Sequence, residues 1–149
     1  MKEKIKEAVE TGETLEEIKN NLLKVLREQR ESGVDRIGYV AGIVTSEGPQ
    51  KIDENVRTLN KHISEIGACS GFPVFSPADI FSWELVERLG ITKMPLTKIE
   101  EATAKFWEDI LGSGYITDIF MTPRWEQSIG ARGEHEVAKK KGLTIHYIK

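Results

Sequence analysis

Residues 106–142, FWEDILGSGYITDIFMTPRWEQSIGARGEHEVAKKKG, constrain the fold more than any other part of the chain. The stretch reads as the end of a helix, a buried strand, a loop, and a second helix. A strand between two helices is the repeating unit of a parallel sheet covered by helices. The second helix also carries a test of burial. On a helix, positions three and four apart are neighbours. For Glu134 these are Gly130, Ala131, Val137 and Ala138, a small and apolar set. Arg132, His135, Glu136, Lys139 and Lys140 fall on the other side. Glu134 is therefore an acid on an inward stripe. Such a carboxyl needs partners or a raised pKa, because burial disfavours its charged form. A place at the edge of the stripe, reaching water, is the equally weighted alternative.

The rest of the chain repeats the same unit. Thr14 and Glu17 make a capping-box signature, and Leu15, Ile18, Leu22 and Leu26 follow at helical spacing, so residues 14–30 are expected to be a helix. A further short helix is expected before it, up to residue 10. The apolar run RIGYVAGIV at 36–44 has the character of a buried strand. It leads into the polar loop TSEGPQK. Ile52, Val56, Leu59, Ile63 and Ile66 mark a helix over 53–66. A short strand at 72–75 and a short helix near 83–89 come next. Thr97 and Glu100 suggest another capping box, opening a helix to residue 111 that Gly112 and Gly114 end. Strands are expected at 115–121 and 143–148. Ser128 is a fitting N-cap for the helix of Glu134, and Gly142 closes that helix.

The expected fold is α/β, a Rossmann-like three-layer sandwich on a mainly parallel sheet of four to five strands. The 149 residues suit one domain, with 1–33 as an added N-terminal helical extension and 34–149 as the core. Ligands of such sheets bind beyond the carboxyl ends of the strands. Here that edge is made by the loops after Val44, Phe75 and Met121.

Composition narrows the function classes. No apolar run approaches the ~20 residues of a membrane span, and the charged start MKEKIKEAVE is unlike a signal peptide. A cytoplasmic protein without membrane attachment is expected. The single cysteine, Cys69, excludes an internal disulfide and a cysteine zinc cluster. His62, His135 and His146 have no metal-ligand spacing, so neither a metal nor a cofactor is expected. A formal net charge of -3 argues against a nucleic acid polymer as partner.

Several residues could serve a small anionic ligand. The loop TPRWEQSIG runs into a helix N-terminus, where free N–H groups and the helix dipole favour an anion. Ser128 can donate a hydroxyl there and Gly130 permits close approach, although plain capping is the commoner role for such a serine. Gly42, near the end of the first strand, could let a ligand approach the backbone. Tyr39 reads on its own as a strand aromatic. Neither a Walker loop nor the Rossmann glycine fingerprint is present.

The pattern SIGARGE followed by VAKKKG, with Tyr39 three residues before Gly42 and Asp109 and Asp118 upstream, resembles the nucleoside 2'-deoxyribosyltransferase-like superfamily. That group includes deoxynucleoside 5'-monophosphate N-glycosidases and small uncharacterised relatives. The resemblance spans roughly residues 37–148. It implies cleavage of the N-glycosidic bond of a nucleoside or nucleoside 5'-monophosphate. Glu134 would be the nucleophile that forms a glycosyl intermediate, Asp109 the acid that assists the departing base, and Tyr39 the group that orients Glu134. Ser128 in place of an aspartate favours a 5'-phosphate. Trp125 could stack on a base and Arg124 lie near the phosphate. Asp118 matches the acid at the strand start and is expected to serve there as a turn cap. The resemblance also implies a homodimer or higher homo-oligomer. A non-catalytic binder of a nucleotide-like ligand, or an interaction module, on the same fold is the alternative.

Overall fold

The computed structural model describes residues 1–44 and 47–149; Thr45 and Ser46 of the TSEGPQK loop lie outside the described residues. The elements follow in the order α1 (Lys2–Thr11), α2 (Leu15–Glu31), β1 (Gly38–Ala41), α3 (Ile52–Ser70), β2 (Val74–Phe75), α4 (Trp83–Arg88), α5 (Leu96–Leu111), β3 (Asp118–Met121), α6 (Ile129–Lys141) and β4 (Thr144–Tyr147). The four strands form one parallel sheet in the order β2-β1-β3-β4.

Side chains alternate across this sheet as strand geometry requires. Tyr39, Ala41, Ile119 and Met121 pack with α1, α2, α5 and α6 in one core cluster. Val40, Phe120 and Val74 pack with Ile52, Leu59, Ile63 and Ile66 of α3 in the other. The molecule is thus a three-layer α/β sandwich, Rossmann-like in architecture. All four residues of β1 and of β3 are buried, which is why their sequences run apolar rather than alternating.

Local signals set most of the helix ends. The Thr14 hydroxyl accepts from the Glu17 amide at 3.1 Å. The Glu17 carboxylate, however, reaches the amide of Glu13 at 2.8 Å, one residue upstream of the expected box partner. Gly142 ends α6 in the left-handed region at φ 73°, where a side chain would be strained. The Thr97–Glu100 box does not form. Helix α5 starts at Leu96, with Pro95 before it and no side-chain cap, so Thr97 already lies inside the helix. The strands are also shorter than their apolar runs: ahead of β3, Thr117 lies in a loop, its N–H donating to Ile37 C=O at 2.9 Å.

Gly42 is fixed by packing. A Cβ there would stand 2.5 Å from Thr122 Oγ1 and 3.0 Å from Leu59 Cδ1. The Thr122 hydroxyl cannot swing away freely, since it donates to Ala41 C=O at 2.8 Å. Gly42→Ala is expected to cost about 1–3 kcal/mol by overpacking, read as a lower urea midpoint with an unchanged m-value.

Candidate functional site

Glu134 enters the site from α6. Ser128 caps that helix, its hydroxyl accepting from the Ala131 amide at 3.1 Å. Six residues after the cap, Glu134 points inward beside Ala131 and Ala138, and only 6% of it is exposed. From the sheet, the Tyr39 hydroxyl donates to Glu134 Oε1 at 2.8 Å. The second oxygen, Oε2, is buried and has no hydrogen-bond partner among the described residues. A buried polar atom without a partner is rare enough to require an explanation.

The electrostatics follow from this burial. Desolvation pushes the Glu134 carboxyl up to about 8, although the Tyr39 hydrogen bond pulls the other way. At neutral pH the acid is therefore mostly protonated. The Tyr39 hydroxyl is raised well above its ordinary value, first by burial and then by the neighbouring carboxyl, so it keeps its proton and acts as a donor. Tyr39→Phe removes the hydrogen bond that favours the carboxylate. It is expected to move the Glu134 titration above about 8, which carboxyl NMR would follow, and to cost about 1–3 kcal/mol through the acceptor left unpaired. An unmoved titration would mean that the hydroxyl does not act on the acid.

Aromatic rings pack around Tyr39. Trp107 of α5 lies 4.8 Å from the Tyr39 ring and Phe75 of β2 lies 5.5 Å from it. Phe81 closes on Trp107 at 6.0 Å and on Phe106 at 5.5 Å. This packing was not legible in the chain. The helical spacing of Ile99, Ala102, Phe106 and Ile110 turns Phe106 inward but says nothing of Trp107 beside it, and Phe81 sits in a segment without periodicity.

The structure brings Glu134 and Tyr39 together and leaves Asp109 elsewhere. Asp109 accepts from Lys19 of α2 and from Lys105, both at 2.9 Å. These bonds to Lys19 and then Lys105 hold its carboxyl below the ordinary range. An ionised, twice-paired carboxylate is a poor proton donor, so in this structure Asp109 does not join the Glu134–Tyr39 pair. The cause is positional. Trp107 faces Tyr39, and Asp109, two residues further along the helix, is turned toward α2.

The remaining candidates are placed as follows. Ser128 is buried at the helix cap, and Gly130 is exposed in the first turn, where an added Cβ would meet only Ser128 Oγ, at 3.8 Å. Trp125 is partly buried, and one face of its ring is occupied. It stacks on His135 at 4.4 Å, and His135 in turn is 2.8 Å from the Tyr147 hydroxyl. Arg124 adopts φ 66°, the one non-glycine residue with positive φ among those described. Its guanidinium approaches Glu47 at 4.0 Å. It also lines a cavity of about 30 Å³ with Asn55, Thr58, His62 and Thr122, on the α3 side of the sheet rather than the Glu134 side. Gly42 is a packing residue, as described above. Asp118 starts β3 but does more than cap a turn: it binds Arg36, His146 and Thr117. No group of three or more His, Cys, Asp or Glu among the described residues could hold a metal ion. Likewise, no helix among them is long and apolar enough to cross a membrane.

Comparison with known proteins agrees on one point. No curated protein and no solved structure matches the chain. A family model matches residues 36–147, from just before β1 to the end of β4, and leaves α1 and α2 outside. With the sheet and its Glu134–Tyr39 pair inside the matched region, the chain belongs to the family described as a domain of unknown function, DUF4406.

Proposed function

We propose that this protein cleaves the N-glycosidic bond of a nucleoside 5'-monophosphate or nucleoside through a covalent glycosyl-Glu134 intermediate. The observation that carries this reading is the buried Tyr39–Glu134 hydrogen bond, with Glu134 Oε2 left without a partner among the described residues. One oxygen is oriented and the other is available for bond formation. The resemblance of the site pattern to the nucleoside 2'-deoxyribosyltransferase-like superfamily supplies the substrate class.

The step balances. Glu134 Oε2 forms a bond to the anomeric carbon while the bond from that carbon to the base nitrogen breaks, its electron pair leaving with the base. The proton that the resting carboxyl gives up equals the proton that the departing base takes up. Positive charge develops on the sugar in such a transition state, and a nearby positive charge favours the carboxylate that burial disfavours. Water then splits the glycosyl ester and restores Glu134; a second base in its place would make the protein a transferase. The site would act on a small molecule in the cytoplasm, in a homodimer or larger homo-oligomer. Asp109 is left out of proton transfer because Lys19 and Lys105 hold it ionised.

The test is incubation with a panel of deoxynucleoside monophosphates, nucleosides and free bases, scored for released base and for base exchange. Release that disappears in Glu134→Ala and persists in Asp109→Asn is expected. The burial of Glu134, with only 6% of it exposed, favours a second reading, a binder of a nucleotide-like ligand without turnover. Ligand binding with no release for any member of the panel would establish that reading instead.

A further inference from the structure

We propose that Trp107 is a positioning residue for the site: with Phe75 it fixes the ring of Tyr39, which keeps the tyrosine hydroxyl on Glu134 Oε1. That bond, at 2.8 Å, is the one side-chain hydrogen bond of Tyr39 among the described residues. Its aim must therefore come from packing. A strand side chain has more than one open χ1 rotamer. A change of rotamer carries the hydroxyl, at the far end of the ring, out of hydrogen-bond reach.

Two rings oppose such a change. Phe75 stands beside Tyr39 in the β1–β2 register and meets its ring edge to face, with centroids 5.5 Å apart and planes at 73°. Trp107 comes from α5, its centroid 4.8 Å from that of Tyr39 and its plane tilted by 49°. Tyr39 and Phe75 are fully buried and Trp107 is 5% exposed. Trp107 is itself held, by Phe106 at 4.8 Å and Phe81 at 6.0 Å, so it has little freedom to yield. Of the two rings, Trp107 is the one tied to the acid's own layer. Helix α5 packs against α6, which carries Glu134. The same pair of helices thus brings in the acceptor and confines the ring of its donor. Burial of Trp107 is not required by the apolar spacing of α5, which Phe106 already satisfies.

The proposal rests on the glycosidase reading only for its effect on turnover. Its test is carboxyl NMR of Glu134 in the full chain, in a double-mutant cycle of Trp107→Phe with Tyr39→Phe. Burial and the Tyr39 bond are the two influences on the Glu134 titration, so the cycle separates them. Trp107→Phe keeps an aromatic ring and removes the second ring of the indole. In it the titration is expected to rise by about half a pH unit, because the hydroxyl leaves Oε1 part of the time. In the Tyr39→Phe background the same substitution is expected to add no further rise. A shift of equal size in both backgrounds means that Trp107 acts through burial, and overturns the proposal. An unmoved titration with Tyr39 in place also overturns it. Should Trp107→Phe fail to fold, Phe75→Leu enters the same cycle, and the same outcomes decide. With a substrate from the panel, kcat for base release is expected to fall about threefold in Trp107→Phe at an unchanged KM; a loss confined to KM counts against the role. A coupled shift of titration with no base release from any protein upholds the positioning role and removes the glycosidase reading.

Discussion

Glu134→Gln is expected to lower base release by about a thousandfold or more, because in the proposed reaction Glu134 itself forms the glycosyl bond. The same substitution is expected to make the fold more stable above neutral pH. The sign follows from the raised titration of Glu134, near 8 in the fold against an ordinary value of 4.5. Between those two values the folded chain binds more protons than the unfolded chain. Stability therefore falls as pH rises from about 4.5 to about 8 and levels off beyond. Glutamine cannot ionise, so this fall disappears. At pH 8.5 the variant should be more stable than the unaltered chain by about 2 kcal/mol, after allowing for imperfect pairing of its amide beside Tyr39. Chemical denaturation at pH 5.5 and 8.5 measures both limbs. A gain in stability at pH 8.5 coupled to a loss of turnover is what a costly functional acid produces; an acid with no part in turnover would give the same gain with base release unchanged.

Asp118→Ala should produce the opposite result. Burial pushes the Asp118 carboxyl up, yet hydrogen bonds from Arg36, His146 and Thr117 outweigh it and hold the group at about 2. The stability from these contacts is present above the ordinary value of 3.8 and is lost as pH falls from there toward about 2. At neutral pH, removing the carboxylate takes their shared partner from Arg36, which is half exposed, and from His146, at a cost of about 2 kcal/mol. Base release in the folded fraction should survive. Asp118 pairs in register with Gly38 and faces the α3 layer with Phe120 and Val40, whereas Tyr39 and Glu134 lie on the opposite face. Two buried acids on neighbouring elements thus differ in their surroundings: Asp118 is paired, whereas one oxygen of Glu134 has no partner among the described residues.

How far the chain disclosed this arrangement depended on the range of the interactions. Positions set by neighbours three and four apart were legible. Glu134 faces inward because Gly130, Ala131, Val137 and Ala138 share its stripe, and the Thr14, Ser128 and Gly142 helix ends follow from local hydrogen bonds and backbone preference. Positions set by distant partners were not. Asp109 is claimed by Lys19, 90 residues away, and no periodicity within α5 could announce it. Gly42 fits a ligand-approach reading as well as a packing one until Thr122 and Leu59 are seen against it. The stacking of His135 on one face of Trp125 was likewise not announced by its neighbours in sequence. The partnership of Tyr39 with Glu134 spans 95 residues. Only the resemblance pointed to it in advance, and a strand aromatic was the plain reading of Tyr39.

The central claim is that Glu134 itself bonds to the sugar. The direct measurement is mass spectrometry of peptides from a mixture quenched in acid during turnover of a substrate found with the panel. The account predicts a glycosyl mass on the peptide carrying Glu134, absent in Glu134→Gln and removed on further incubation in water. Base release that continues in Glu134→Gln, with the peptide unmodified in the unaltered chain, would contradict it.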